Sequence, residues 1–188
     1  LMAIDSIFAN NSASGVYNDY GGAIYIYNDA NVGLSMRNCL VRNNAVGHGL
    51  GGAVAAEAGT LWLENCTVAN NSGGGVYRSA GSLMATNSIL WGNGLDATGT
   101  MTLAFCDVSN ASAGVTLVDC LAADPRFMNS AAGDYHLSNI SPCVDAGTNL
   151  AWMFTAQDMD GHRRVLFGRV DMGPYETMLS KGLVIFVR

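Results

Sequence analysis

The chain has 188 residues, of which 49% are apolar and only 13% charged, and its formal net charge is −6. This balance excludes a disordered chain, and the 23 glycines argue against a helical bundle. Nine Lys and Arg residues against fifteen Asp and Glu residues leave no basic patch to neutralise phosphates, so no nucleic-acid partner is expected. Every apolar run is shorter than the roughly 20 residues that span a bilayer, which predicts no transmembrane segment.

A seven-residue phrase recurs along the first half of the chain. It reads "DSIFANN", "NCLVRNN", "NCTVANN" and "NSILWGN", and a degraded copy reads "FCDVSN" from Phe105 to Asn110. The first four copies end at Asn11, Asn44, Asn71 and Asn93, so their spacings are 33, 27 and 22 residues. A period in this range indicates stacked supersecondary units with insertions in their loops.

Two further elements accompany the phrase in each repeat. An alternating apolar stretch precedes it, as in "LSMRN" from Leu34 and "LWLEN" from Leu61, and a glycine-led stretch follows it, as in "GGAIYIY" from Gly21 and "GGAVAA" from Gly51. Alternation is the period of a strand, and no window carries the apolar period of a helix. The sequence therefore predicts an all-β solenoid with three short strands per coil, whose coils stack about 4.8 Å apart.

The alternation predicts which side chains point into the solenoid. The inward positions are Phe8, Val41, Val68, Leu90 and Val108 in the phrase, and Ile24, Ile26, Val54 and Val76 in the glycine-led strand. Two ladders of like side chains are predicted. The first consists of Cys39, Cys66 and Cys106, with Ser6 and Ser88 at the same repeat position. The second consists of Asn11, Asn44, Asn71 and Asn93. Cys120 and Cys143 fall outside the repeat, and the sequence leaves a disulfide between them open. No Cys or His spacing indicates zinc.

This layout resembles the right-handed parallel β-helix of the pectin-lyase-like superfamily. The "GGAI" at Gly21 and the "FANN" at Phe8 are similar to the paired signatures of chlamydial polymorphic outer-membrane protein repeats. The resemblance covers residues 1–119 and implies a right-handed parallel β-helix from an exported protein. Since the chain begins inside a repeat, we expect it to be an N-terminally truncated fragment, with further coils and any export signal upstream.

Residues 120–188 lack this repeat and carry a different series of short sequence motifs. The phrases "DPRF", "GDYHL", "SPCVDAG", "DMDGHRR" and "GRVDMGPYE" follow one another in the order seen in the choice-of-anchor family, which they resemble. That resemblance implies an irregular C-terminal capping module of a secreted bacterial β-helix protein, and we expect it to cover the open end of the last coil. An anchoring signal follows the final phrase in that family, whereas here only "TMLSKGLVIFVR" follows. Its "GLVIFV", Gly182 to Val187, has the length of a strand.

Two patterns suggest polysaccharide chemistry and are incomplete. The "GHG" around His48 is a polygalacturonase motif, but it lacks the adjacent Asp pair and the Arg-x-Lys that go with it, so we expect a loop histidine. The clearest outward acids of the coils, Glu64 and Asp107, have no acidic neighbours for a lyase-type calcium site. No catalytic residue is therefore assigned, and a lyase or glycoside hydrolase remains an alternative.

A structural calcium ion is the one cofactor that the sequence leaves open. The "DMDG" from Asp158 departs from an EF-hand, because its glycine is fourth and not sixth. Candidate ligands are Asp158, Asp160 and Asp171. The alternative is a set of Asp and Gly turns in which Arg163, Arg164 or Arg169 pairs the carboxylates.

Outward aromatic side chains are the candidate ligand-binding residues. They are Tyr25, Tyr27, Trp62, Tyr77 and Trp91, and rings in a row can stack on sugars of a polysaccharide or a cell-surface glycan. Cross-strand packing is their other use in sheets. We expect a non-catalytic structural or adhesive segment of an exported bacterial cell-surface protein, secreted or held at the cell surface. A fragment of a polysaccharide-degrading enzyme and a glycan-binding module are the alternatives.

Overall fold

A computed structural model describes residues 1–15, 19–27 and 30–179. The "GLVIFV" stretch therefore lies outside the described residues. The strands, in chain order, are β1 (Met2–Ile4), β2 (Ile7–Ala9), β3 (Ser12–Ala13), β4 (Ile24–Ile26), β5 (Gly33–Arg37), β6 (Leu40–Arg42), β7 (Ala45–Val46), β8 (Val54–Ala56), β9 (Thr60–Glu64), β10 (Thr67–Ala69), β11 (Val76–Arg78), β12 (Ser82–Thr86), β13 (Ile89–Trp91), β14 (Ala97–Gly99), β15 (Met101–Ala104), β16 (Asp107–Val108), β17 (Val115–Val118), β18 (Phe127–Asn129) and β19 (Asp134–Leu137). Two 3₁₀ helices span Ser130–Ala132 and Ala151–Phe154.

Three parallel sheets form the body of the molecule. Sheet 1 has the order β1-β5-β9-β12-β15-β17, sheet 2 the order β16-β13-β10-β6-β2, and sheet 3 the order β14-β11-β8-β4. The chain visits the sheets in the order 1, 2, 3 and then begins the next coil, so each sheet is built from equivalent strands of successive coils. This is the parallel β-helix with three short strands per coil that the repeat predicts. Strands β3 and β7 add a short parallel pair, and β18 and β19 pair antiparallel.

Residues in the left-handed conformation turn the chain at the corners of each coil. Between sheets 1 and 2 they are Asp5, Asn38, Asn65, Asn87, Phe105 and Asp119, with φ between 49° and 52°. After sheet 2 they are Asn10, Asn43, Asn70 and Gly92. Asn, Asp and Gly adopt this conformation at low cost, which explains why the phrase carries asparagine near both of its ends.

The core lies between the three sheets. Phe8, Val41, Val68, Leu90 and Val108 pair in register across sheet 2, and the middle three are fully buried. The equivalent positions of sheet 3 pair Ile24 with Val54 and Val54 with Val76. Like side chains therefore stack on like, so a single packing solution is repeated from coil to coil.

An asparagine ladder lines the corner after sheet 2. The backbone N–H and Nδ2 of Asn11 both donate to Oδ1 of Asn44 at 2.9 Å, and the same pair of bonds joins Asn44 to Asn71 and Asn71 to Asn93. Asn93 donates in the same way to Asp96 Oδ1. The other oxygen of Asp96 accepts from Ser109 and Asn110. A buried carboxylate thus ends the ladder by accepting hydrogen bonds from both sides.

A second ladder of hydroxyl and thiol groups lines the corner before sheet 2. Each member donates to the carbonyl two residues earlier, and the members are Ser6, Cys39, Cys66, Ser88, Cys106 and Cys120. The structure therefore corrects the sequence analysis, which placed Cys120 outside the repeat. All five cysteines are free thiols. Burial raises the pKa of Cys66 and Cys106, so these two groups are neutral side chains of the core.

The C-terminal segment, residues 122–179, packs along the side of the solenoid on sheet 2. The outward residues of sheet 2 include Leu40, Ala69 and Ile89, and this segment buries all three. Their apolar character is the physical reason why this face needs a cover. Leu117 of β17, at the end of the last coil that the sequence predicted this segment to cover, keeps 49% exposure.

Asparagines of the first corner hold this segment in place. Nδ2 of Asn38, Asn65 and Asn87 donates to the backbone carbonyls of Gln157, Asp171 and Thr148 at 2.9 to 3.0 Å. Thr148 N also donates to Asn87 Oδ1 at 2.7 Å.

Within the described ranges, no helix is both long and apolar enough to cross a membrane.

Candidate functional site

The outward tyrosines of sheet 3 form a stack with a fourth tyrosine. Tyr25 and Tyr77 flank Ala55 in register, and the ring of Tyr20 stacks with both of their rings. The Tyr20 ring lies 5.7 Å from that of Tyr25 and 5.5 Å from that of Tyr77, and Tyr27 meets Tyr25 edge-on at 5.9 Å. Tyr20, Tyr25 and Tyr77 therefore use ring faces on one another, whereas Tyr27 stays 70% exposed. Burial and a hydrogen bond to Glu57 raise the pKa of Tyr25.

The two candidate tryptophans lie on other faces of the solenoid. Trp62 is on sheet 1, where it is 41% exposed and lies against Gly33. Trp91 is at the end of β13 in sheet 2, and it is partly buried against the apolar cluster of Ile89, Leu137, Cys143, Val144 and Met172. The structure therefore does not gather the five candidate aromatics into one row, but divides them among three sheets.

The comparison with known protein families agrees with the coil geometry. Residues 3–132 match the family described as the right-handed beta helix region, and this stretch contains every coil and the start of the C-terminal segment. The chain belongs to the right-handed β-helix family. No curated protein and no solved structure matches it.

A cleft in this β-helix opens beside Trp91, where sheet 2 meets the C-terminal segment. It has a volume of about 340 Å³, and its lining residues are Asn70, Trp91, Gly92, Asp124, Arg126, Phe127 and Ser130. Asn70 Nδ2 donates to Tyr135 Oη at 2.9 Å, and any side chain at position 92 would strike Asn70 Oδ1. Asp124 Oδ1 accepts the backbone N–H of Arg126 at 2.9 Å. The cleft thus combines one aromatic wall with groups that donate and accept hydrogen bonds.

The acidic residues proposed as calcium ligands lie in the C-terminal segment and have other partners. Asp158 accepts backbone N–H groups of Asp160, His162 and Glu176. Asp171 accepts those of Asp145 and Thr177. Ligand atoms of Asp158, Asp160 and His162 lie within 4.8 Å of one another, and Asp171 is not part of this group. The geometry thus groups His162, and not Asp171, with the two acids of "DMDG".

His136 bridges two carboxylates next to this group. Its Nδ1 lies 2.5 Å from Asp134 Oδ1, its Nε2 lies 2.8 Å from Asp160 Oδ2, and its ring lies 4.1 Å from that of Tyr175. Burial by itself would lower the pKa of His136, but the two carboxylates raise it above the usual value. The two carboxylates therefore favour the protonated form of His136, which would neutralise part of the local negative charge.

A buried ion pair joins the last two phrases of the C-terminal segment. Arg164 is fully buried, and its Nη2 lies 3.1 Å from Glu176 Oε1 and donates to the carbonyls of Asp171 and Gly173. Burial raises the pKa of Glu176, and Arg164 opposes this effect. Among the three arginines considered from sequence, Arg164 is the one paired with a carboxylate, whereas Arg169 donates to the carbonyls of Ala146 and Gly147. These phrases therefore build the internal support of the segment.

The acids of the coils are engaged in structural contacts. Glu64 Oε2 pairs with Arg37 Nε at 2.5 Å. Asp107 does point outward from sheet 2, but the C-terminal segment buries it, and its Oδ2 lies 3.1 Å from the thiol of Cys143. His48 is exposed in the turn between β7 and β8.

Sequence reasoning missed four residues of these arrangements, Tyr20, Asp96, Arg126 and His136. Tyr20 and Asp96 lie in insertions between repeat elements, so the period carries no signal for them. Arg126 and His136 belong to phrases that become neighbours of the coils only because the chain folds back along sheet 2.

Proposed function

We propose that this β-helix is a non-catalytic structural or adhesive segment of an exported bacterial cell-surface protein. The observation that carries the proposal is the pair of polar ladders, which run through the stacked coils and fix their register. A stack fixed in this way, with a segment clamped along its side, is suited to present a surface at a distance from the cell. The resemblance of its repeats and C-terminal phrases to exported bacterial proteins supports the same role.

The environment of the coil acids supports a role without catalysis. Glycoside hydrolysis requires two carboxyl groups that flank the bond to be cleaved. Glu64, Asp96 and Asp107 instead hold an arginine, the end of the asparagine ladder and the C-terminal segment. An enzyme whose catalytic coils lie upstream of residue 1 is the alternative.

Two measurements test this proposal. The purified full-length protein, incubated with plant and bacterial polysaccharides, is expected to release neither reducing ends nor unsaturated sugars. The full-length protein in its own host is expected to be cleaved by protease added outside intact cells. Turnover of any polysaccharide would establish the enzyme alternative, and protection from external protease would contradict the surface location.

Glycan binding is a second candidate function, favoured by the cleft beside Trp91. Trp91 shares this cleft with the polar side chains of Asn70, Asp124, Arg126 and Ser130. The tyrosines of sheet 3, by contrast, use their ring faces on one another. A glycan array probed with the intact chain tests this function directly.

A further inference from the structure

We propose that the cleft lined by Trp91, Asp124 and Arg126 is a subsite for one uncharged, hydroxyl-rich sugar unit of a glycan. This inference rests on the glycan-binding candidate above and gives it a location and a ligand class. The cleft lies where the ends of β10 and β13 face the turn that leads the chain into the C-terminal segment.

The size and the wall of the cleft fit a single sugar ring. A volume of about 340 Å³ falls at the lower end of the range for small-molecule sites. Trp91 is partly buried against the apolar cluster of Ile89, Leu137, Cys143, Val144 and Met172, and it also lines the cleft. An indole held rigidly in this way can pack against the C–H groups of a sugar ring without losing much side-chain entropy on binding.

The polar groups of the cleft fit hydroxyls. Arg126 makes no ion pair and its guanidinium no hydrogen bond among the described residues, so its donors are available. Asp124 uses one oxygen on the backbone and has a second one for a ligand. Ser130 and Asn70 Oδ1 add further groups at the rim. Donors and acceptors in close alternation suit a hydroxyl group, which is both.

The charge of the cleft selects against acidic sugars. Asp124 and Arg126 contribute one negative and one positive charge to its lining, which cancel, and the whole chain carries −6. A uronate would gain little from a guanidinium that has a carboxylate beside it, and the field of the whole protein would repel it. A neutral hexose or pentose carries no charge, so neither of these electrostatic effects weakens its binding.

The backbone conformation of Arg126 supports the proposed subsite independently of the shape of the cleft. Its φ of 53° lies in the left-handed region. Of the non-glycine residues with positive φ in the described chain, only Phe105 and Arg126 are neither Asn nor Asp. Phe105 packs against the cluster beneath the C-terminal segment, whereas Arg126 is exposed and its side chain makes no hydrogen bond or ion pair with any residue that the structure describes. Strain of this kind is characteristic of residues that serve a site.

This strain makes Arg126→Gly a sharp test. Glycine adopts positive φ without cost, so the variant is expected to melt at the same temperature as the natural chain or higher, while its affinity for a bound glycan falls about tenfold or more. The probes are the neutral oligosaccharides that bind on the array, titrated by calorimetry, alongside uronate oligosaccharides of equal length. Arg126→Asn, which also tolerates positive φ, is expected to lose the same affinity. Asp124→Asn keeps the acceptor for the backbone and is expected to weaken binding through loss of the charge.

Arg163→Asn is the matched control for Arg126→Asn, because it removes an exposed guanidinium that does not line the cleft. Its affinity is expected to equal that of the natural chain. Glycan binding that survives both Arg126 variants would overturn the subsite and leave glycan binding intact. Tighter binding of uronates than of neutral sugars would overturn the ligand class. Absence of binding to every glycan on the array would overturn the subsite together with the glycan-binding function.

Discussion

Asp96 illustrates how one side chain completes a repeating structure. Asn44 and Asn71 each accept two bonds from the asparagine of the coil before and donate two bonds to that of the coil after. The last asparagine therefore needs a group that only accepts. Asp96 supplies this group, because both of its carboxylate oxygens accept hydrogen bonds from donors.

Asp96→Asn is therefore expected to destabilise the protein although the two side chains have the same shape. One face of the new amide would present N–H groups to the donors of Asn93, or of Ser109 and Asn110. The free energy of unfolding in urea should fall by about 2 to 3 kcal/mol, the cost of buried groups left without partners. Asp119→Asn removes the same charge at an exposed left-handed corner and should change stability little. Equal losses for the two variants would contradict the role of Asp96.

Asp107 predicts a dependence of stability on pH. Burial raises its pKa, against the hydrogen bonds from Cys143 and Ala123. Because the folded protein then holds this proton more tightly than the unfolded chain, Asp107 reduces stability as pH rises from the unfolded pKa of about 3.9 to the folded pKa. Asp107→Asn removes this effect. Its free energy of unfolding relative to the natural chain is expected to increase over that interval and then remain constant. A pH-independent difference would refute the assignment.

At the scale of the elements, the asparagine ladder should be strongest at its middle. Asn71 accepts two bonds from Asn44 and donates to Val41 O, Ala69 O and Asn93 Oδ1, all in the buried interior. Asn11 is exposed and its side chain makes one bond. We expect Asn71→Ala to cost about 3 kcal/mol and Asn11→Ala less than about 1 kcal/mol, both measured by urea unfolding. Comparable costs would mean that the ladder does not act through buried bonds.

The docking of the C-terminal segment depends on the other asparagine corner. Asn87→Asp keeps an acceptor for Thr148 N but replaces the donor to Thr148 O by a second oxygen, in a fully buried place. Amide hydrogen exchange of residues 145–175 should accelerate, while the coils keep their protection. Asn43→Asp is the control, since Asn43 is an exposed left-handed residue at the opposite corner. Unchanged exchange in the Asn87 variant would show that these bonds do not hold the segment.

The parts of this structure that could be predicted from the sequence are those that repeat. Parallel in-register stacking places equivalent residues of successive coils above one another, so Val41, Val68 and Leu90 could be assigned to the core from alternation alone. The cover on sheet 2 also left a signal, because Leu40 and Ile89 are apolar neighbours of inward residues. The cleft left no such signal in the sequence. It forms where Arg126, 35 positions after Trp91 in the chain, returns to the end of β13, and no period encodes that return.

At the scale of the whole molecule, the solenoid and the C-terminal segment share one interface and are expected to unfold together. Asparagines from three coils bond the segment, and Arg37 of β5 lies 5.0 Å from the ring of Trp152 in the segment. Sheet 2 without this cover would expose Leu40 and Ile89. Neither part has a complete set of partners alone, which is the condition for a single cooperative transition.

Single-tryptophan variants test this cooperativity. A chain with Trp91→Phe and Trp152→Phe reports from Trp62 on sheet 1, and a chain with Trp62→Phe and Trp91→Phe reports from Trp152 in the segment. Fluorescence during urea unfolding should give the same midpoint for both, once each is compared with the circular dichroism of the same variant. An earlier transition at Trp152 would mean that the segment is a separate domain. In that case the coils would keep their stability without the C-terminal segment.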